Sequence, residues 1–273
     1  MTLFSQRRHL MKSRHSLTGR FLYCIAVVAV LCVSALQARA YDFDNESLSY
    51  KVKYKWGLIN KQAGHATLTL RRSGPHYVTK LTAASEPWAD HIYMVRDTLN
   101  GLIVRDGFRP VFYEKIAHEG GEHKHDTVTF GYDGSSTVTG RCTRRVIDKK
   151  GRLETDQKLE LQAEGTTVDM LSSFYFMRRL PFENWQPGHS LSVNIFSGKR
   201  KELLTIRYHG ITKAKSDKRE YDCYHITFIF TSNGRKKTSD DMDAWISADE
   251  NRIPIRLEGK LPIGKVHCIL SSD

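Results

Sequence analysis

Leu48-Ser49-Tyr50-Lys51-Val52-Lys53-Tyr54-Lys55-Trp56 decides the fold. Leu48, Tyr50, Val52, Tyr54 and Trp56 fall on one side of an extended chain, and Ser49, Lys51, Lys53 and Lys55 on the other. Side chains alternate faces along a strand, so a period of two marks a strand with one sheltered and one wet face. Similar runs recur at 66–70, 77–81, 98–104, 127–130, 191–195, 203–211, 224–230 and 244–246. Between them stand Ser73-Gly74-Pro75, Asp106-Gly107, Asp133-Gly134, Lys150-Gly151, Ser197-Gly198 and Asn233-Gly234. Asn-Gly and Asp-Gly supply the positive φ angles of tight hairpins. Strands spaced this closely pair antiparallel, because a parallel crossover needs about a dozen connecting residues. The pattern predicts an all-β fold, a large curved antiparallel sheet or barrel-like meander. The polar stretch 147–156 is expected to be a hairpin tip or mobile loop.

One segment departs from this rhythm, Thr167-Val168-Asp169-Met170-Leu171-Ser172-Ser173-Phe174-Tyr175-Phe176-Met177-Arg178-Arg179. Met170, Phe174 and Met177 fall on one helical face, and Leu171, Tyr175 and Arg178 on an adjacent one. Thr167 is placed to cap the start, Asp169 suits the positive end, and the arginines suit the negative end. Pro181 stops the helix. A lone helix over 167–179, between two sets of strands, is expected to plug or cover the curved sheet.

The first forty residues read as an address. Arg7, Arg8, Lys12, Arg14 and Arg20 precede an uncharged run over 21–36, and Ala38-Arg39-Ala40 follows. A basic head, an apolar core and an A-x-A site make a secretory signal peptide, with cleavage expected between Ala40 and Tyr41. The core is short against the roughly 20 residues of a membrane span. Tyr23 and Leu31 precede Cys24 and Cys32, where a lipoprotein signal needs a small residue. Residues 41–273 are therefore expected to be a single periplasmic domain with no integral membrane span.

The whole chain of 273 residues carries 42 Lys+Arg against 30 Asp+Glu. Six of those bases and none of the acids lie in residues 1–40, so the excess falls from +12 to +6 in the exported part. At 40% hydrophobic residues the chain is too apolar for a disordered tail. Lys199-Arg200-Lys201 and Arg235-Lys236-Lys237 sit at expected turns, where lysines and arginines discourage edge-to-edge pairing. No nucleic-acid motif accompanies them. The remaining positive charge leaves a weak attraction to an anionic envelope surface. After cleavage Cys142, Cys223 and Cys268 remain, none in a CxxC. One bridged pair and three buried thiols are both open.

Three motifs lie in order along the exported part: Ala63-Gly64-His65-Ala66; Asp169-Met170-Leu171-Ser172 with Tyr175 and Arg178; and Trp245-Ile246-Ser247-Ala248-Asp249 followed by Arg252-Ile253-Pro254-Ile255 and Gly264. With the export signal, this series resembles the bacterial domain-of-unknown-function family 3108 (DUF3108), from about Leu48 to Leu270. The resemblance implies a β-rich exported domain and carries no reaction, cofactor or substrate with it.

The motif residues have a scaffolding reading and a functional one. Gly64 permits a bulge or a close backbone approach. Trp245 is expected in the core, Asp249 in a turn accepting its own amides, and Pro254 at the start of an edge strand. An Asp and an Arg on one short helix suggest a buried ion pair. The functional alternative brings Asp169, Tyr175, Arg178, Trp245 and Asp249 to one ligand pocket. His118, His123 and His125, with Glu122, are a second candidate, because alternate residues of a strand point the same way and imidazoles suit zinc.

No nucleophile elbow, phosphate loop or dinucleotide fingerprint occurs, and no catalytic residue is assigned. The expected function is non-enzymatic binding or escort of an amphiphilic envelope component, lipid or glycan. Tyr50, Tyr54, Trp56, Trp88, Tyr93 and Phe112 are candidates to line its trough. An assembly partner of another envelope protein is the alternative, and a metal-dependent hydrolase a third reading.

Overall fold

The structure, a computed structural model, describes residues 42–232, 236–237, 241–261 and 263–271. The signal-peptide reading of residues 1–40 and the Asn233-Gly234 turn lie outside the described residues. The strands are β1 (Glu46–Trp56), β2 (Ile59–Ser73), β3 (His76–Ser85), β4 (Val95–Val104), β5 (Arg109–Glu119), β6 (Glu122–Tyr132), β7 (Thr137–Ile147) and β8 (Leu153–Glu164) in the first half. The second half holds β9 (Thr167–Asp169), β10 (Ser190–Phe196), β11 (Lys201–Lys215), β12 (Glu220–Ser232), β13 (Lys236–Lys237), β14 (Met242–Ser247), β15 (Pro254–Lys260) and β16 (Lys265–Leu270). Among the described residues two α-helices interrupt them, α1 (Pro87–Tyr93) and α2 (Ser172–Arg178).

Among the described residues all of these strands belong to one sheet. Its order is β8-β7-β6-β5-β4-β3-β2-β1-β16-β15-β14-β12-β11-β10-β9, with β13 on β12. β1–β8 form a plain antiparallel meander, and β10–β12 and β14–β16 run antiparallel in turn, as the short turns require. The halves are seamed where β1 pairs with β16, from Tyr50 opposite Leu270 to Lys55 opposite Lys265. The only parallel pair among the described residues is β9 with β10.

Bulges bend the sheet. Register slips occur at Val52/Lys53, Leu102/Ile103, Val146/Ile147, Tyr208/Gly210 and Trp245/Ile246, and each extra residue sharpens the local twist. The two ends of the strand order come together because Gly165 (φ 79°) turns β8 directly into β9. Asn194 on β10 holds that link, its side-chain amide donating to the carbonyls of Glu164 at 2.8 Å and Thr166 at 3.3 Å. Inside the bend, Phe196 of β10 stacks on Phe130 of β6 with centroids 5.6 Å apart. It lies over Gly140 of β7, where a Cβ would sit 2.5 Å from its ring. The sheet is therefore nearly closed and barrel-like.

The alternation in the sequence maps onto the two faces. Leu48 and Tyr50 on β1, Leu68 and Leu70 on β2, Leu204 and Ile206 on β11, and Ile226 and Phe228 on β12 are buried on the inner side. Two aromatic groups pack in the interior. Phe43, Tyr77, Phe108 and Tyr175 meet edge-on or tilted at 5.3–6.4 Å. Phe182, Trp185, Tyr208 and Tyr224 form the other, at 5.0–6.4 Å.

Several expectations need correction. The segment 167–179 is not helical throughout: Thr167 lies in β9, and the amides at the start of α2 are met by the Asp169 carboxylate, not by Thr167. The expected helix is not alone: a second, α1, is present, with Pro87 in its first turn. Pro254 does begin β15, but that strand lies between β14 and β16 and is no edge. Cys142, Cys223 and Cys268 stand on β7, β12 and β16 as free thiols, the first two buried and the third half-buried. Burial pushes their thiols up to about 11, about 12 and about 11 respectively.

Candidate functional site

Asp169 closes the short strand β9 and opens the turn into α2. Its Oδ1 accepts the backbone N–H groups of Leu171 and Ser172, both at 2.8 Å, while the Ser172 hydroxyl accepts the N–H of Asp169 at 2.9 Å. The carboxylate is fully enclosed, and its Oδ2 has no partner among the described residues. Burial pushes the group up to about 6, against the opposing pull of the Ser172 and Leu171 bonds. Thr79 Oγ1 and the Tyr113 hydroxyl are likewise buried without a partner among the described residues. They sit on β3 and β5, either side of Gly101 of β4 in the sheet register. Leu171 packs against Gly101, where a Cβ would lie 3.4 Å from its side chain.

Arg178 sits at the other end of α2, fully buried. Its carboxylate partner is Glu46 of β1, at 2.5 and 2.9 Å in a two-pronged contact, not Asp169. It also donates to the carbonyls of Arg252 at 2.7 Å and Asn251 at 3.1 Å, and lies over the rings of Phe43 and Tyr175. Those two carbonyls are presented by the turn that Asp249 organises. The Asp249 carboxylate accepts from Ser247 Oγ at 2.8 Å, Asn251 N–H at 3.0 Å and Arg252 N–H at 3.2 Å. Arg252 reaches back with positive φ (46°), donating to the Leu180 carbonyl and to Glu183 at 2.7 Å. Tyr175, buried beside Arg178, donates to the Thr69 carbonyl at 3.1 Å. Arg178, Tyr175 and the Asp249 turn are thus brought together as a clasp between α2, β1 and the β14–β15 connection. Burying a guanidinium is tolerated because every face of it meets a carboxylate, a carbonyl or a ring.

Trp245 does not join them. Ala244 and Ile246 face the core at 3% and 2% exposure, so Trp245 must face outward. There it stacks on His225 at 4.7 Å with the rings 4° from parallel, beneath Arg256. The expectation that its size would put it in the core is corrected by the parity of its neighbours.

The histidine candidates also lie on the outer side. His118 of β5 and His123 of β6 are cross-strand partners with rings 4.2 Å apart, while His125 bonds Glu114 at 2.8 Å. Among the described residues no three His, Cys, Asp or Glu side chains converge as a metal site would require. Of the aromatic candidates, Trp56 and Tyr93 are more than half exposed, Trp88 donates to the Gln62 carbonyl at 2.8 Å, and Tyr50 is in the core. Tyr54 and Phe112 are half-buried.

One inward-facing group went unread. Asp97 shares the face of Leu99 and Ile103 on β4; Lys115 and Glu119 share that of Tyr113 and Ala117 on β5; Lys124 shares that of Asp126 and Val128 on β6. Lys115 meets Glu119 at 3.0 Å and Asp97 at 3.9 Å, and Lys124 meets Glu119 at 3.3 Å and Glu122 at 2.9 Å. Burial, then the neighbouring Glu119 carboxylate, pushes Asp97 up to about 6. Against its own burial, Glu119 is held below the usual range by Lys115 and Lys124. Deeper along the same face Arg144 grips the buried Asp126, with both contacts at 2.8 Å. Beside this charged group the inner wall is made of small or half-buried apolar side chains. Ala83 stands opposite both Ala66 of β2 and Asp97 of β4, and Asp97 stands opposite Ala117. The signal was present in Tyr113-Glu114-Lys115-Ile116-Ala117-His118-Glu119, where ionisable residues keep step with Tyr113 and Ala117.

A solved structure shares this architecture: a β-barrel-like protein of the DUF1849 domain of unknown function from Brucella abortus. It is 11% identical, with a TM-score of 0.58 over 85% of this chain and 98% of that one. At that identity the likeness concerns the fold alone. A Bacteroides fragilis protein with a YmcC-like fold aligns over 85% of this chain and 97% of its own at 7% identity, with a TM-score of 0.36. No curated protein matches the sequence. The model of the family described as protein of unknown function (DUF3108) matches residues 49–270, nearly the whole of the folded part. The chain therefore belongs to the DUF3108 family.

Proposed function

We propose that this is an exported, non-enzymatic binding protein of the bacterial envelope that holds an amphiphile, with the charged head at one end of the bent sheet and the apolar part along its inner wall. The observation that carries this reading is the row Ala66–Ala83–Asp97–Ala117 on the inner face, with Lys115, Glu119 and Lys124 beside it. Ala66 and Ala83 remain half-buried although they share a face with buried core residues, so the wall there is not sealed by large side chains. Ionised groups on the inner side of a sheet are costly unless paired or wetted. Small apolar residues next to paired charges suit a ligand that is itself apolar and charged in turn. The basic, apolar and A-x-A segments of residues 1–40 support the envelope location.

Protein recovered from the periplasm of cells producing the full chain is expected to carry a lipid or lipid-linked glycan, identified by mass spectrometry of an organic extract. Ala83→Trp fills the proposed space and is expected to empty the protein of that ligand while circular dichroism stays strand-rich. An extract without lipid, or equal lipid in A83W, would overturn the reading.

A further inference from the structure

Ten large apolar side chains are strongly exposed among the described residues, and five of them lie on two hairpin tips. Trp56 (55%), Leu58 (105%) and Ile59 (44%) form the β1–β2 tip, and Leu261 (42%) and Ile263 (60%) the β15–β16 tip. The tips are neighbours because β1 pairs with β16. The Tyr54 hydroxyl donates to the Ile263 carbonyl at 3.0 Å, and a Cβ on Gly264 would lie 3.1 Å from that of Trp56. A continuous exposed apolar patch on two adjoining tips calls for a partner surface.

The two tip segments themselves carry charge of one sign. Residues 53–61 and 259–265 contain Lys53, Lys55, Lys61, Lys260 and Lys265 and no Asp or Glu. Lys55 stands directly opposite Lys265, and Lys265 opposite Lys260, so three exposed lysines run side by side across β1, β16 and β15. Like charges directly opposite one another in a ladder are unfavourable unless an anion lies over them. Exposed Trp, Leu and Ile at loop tips, flanked by lysines, match the chemistry of the interface of an anionic bilayer, with apolar groups below the headgroups and ammonium groups on the phosphates.

We propose that the β1–β2 and β15–β16 tips form a membrane-docking edge, inserting Trp56, Leu58 and Ile263 into an anionic lipid surface while Lys55, Lys260 and Lys265 contact its phosphates. The proposal stands whether or not the interior holds a ligand.

The test uses protein from the periplasm of cells producing the full chain, sedimented with vesicles of phosphatidylglycerol mixed into phosphatidylcholine or of phosphatidylcholine alone. At roughly fivefold per lysine, binding to the anionic vesicles is expected to be at least about 25-fold tighter, and to weaken with salt. Leu58→Asp with Ile263→Asp is expected to lower binding at least roughly 100-fold. Both side chains face solvent, so the thermal melt of this variant should match that of the unaltered protein. Lys55→Ser with Lys265→Ser should lower anionic binding and leave neutral binding unchanged. Vesicle binding undiminished in L58D/I263D, or equal binding to both vesicle types, would overturn the proposal. So would sedimentation with native membranes but not with pure lipid, which would assign the patch to a protein.

Discussion

Asp169 and Arg178 lie on the same short segment, and the sequence invites pairing them, yet each takes a different partner. Asp169 is within reach of the free amides that start α2, and Arg178 is carried a helical turn and a half away, to Glu46. Glu46 precedes Arg178 by 132 residues, and nothing local to either residue reveals the contact. The sequence did disclose the Asp249 turn, since that carboxylate binds amides two and three residues on. Burial of Asp169 has a consequence for stability. Its carboxyl is raised to about 6, so the folded form keeps a proton that an unfolded Asp has released above about pH 4. The contribution of this group is intact at low pH and is lost as pH rises through about 6, by on the order of 3 kcal/mol. Asp169→Asn keeps the acceptor oxygen and has no proton to lose. In denaturant unfolding between pH 4 and 7, the unaltered protein should lose stability relative to D169N up to about pH 6 and run parallel to it above. Parallel behaviour throughout would mean that Asp169 is not held protonated.

At the scale of elements, strands were the legible part. Alternation in 48–56, 66–70 and 224–230 fell within β1, β2 and β12, and Gly64 marked the bulge it was expected to allow, opposite Val52 just before the slip to Gln62. β5 escaped because Lys115 and Glu119 occupy inward positions and break the apolar half of the pattern. For Trp245 the parity of Ala244 and Ile246, not the size of the ring, decides the face. How β10 packs over β7 is not legible in the sequence, because that contact depends on a residue with no side chain. Gly140 leaves room for Phe196, and a Cβ there would lie 2.5 Å from the ring. Gly140→Val is expected to cost about 1–3 kcal/mol in urea unfolding, as an overfilled core does. A companion Phe196→Leu change should recover part of that loss. A G140V protein as stable as the unaltered one would remove Phe196 from the closure.

For the molecule as a whole, the Gly165 link and the one crossover among the described residues, residues 170–189 with α2 between the parallel strands β9 and β10, explain how a single sheet comes back upon itself. The described residues contain no helix long and apolar enough to cross a membrane. The leader reading makes a measurable claim: the intact mass of the periplasmic form should equal residues 41–273 with no mass lost to a disulfide. Cys142, Cys223 and Cys268 are free thiols whose ionisation burial suppresses, so all three should react with iodoacetamide after unfolding and only slowly before it. A mass retaining residues 1–40, or fewer than three alkylated cysteines without reductant, would contradict it.

The seam between β1 and β16 sets an order of events. A chain synthesised or threaded through a pore from its amino end delivers β1 about two hundred residues before the strand that completes its second flank. Throughout that interval β1 offers an open row of amides and carbonyls to any passing polypeptide. The positive charges of Lys51, Lys53 and Lys55 along it deter a second copy from zipping on during that interval. Contacts this distant in sequence also form slowly, which lengthens the interval over which that repulsion counts.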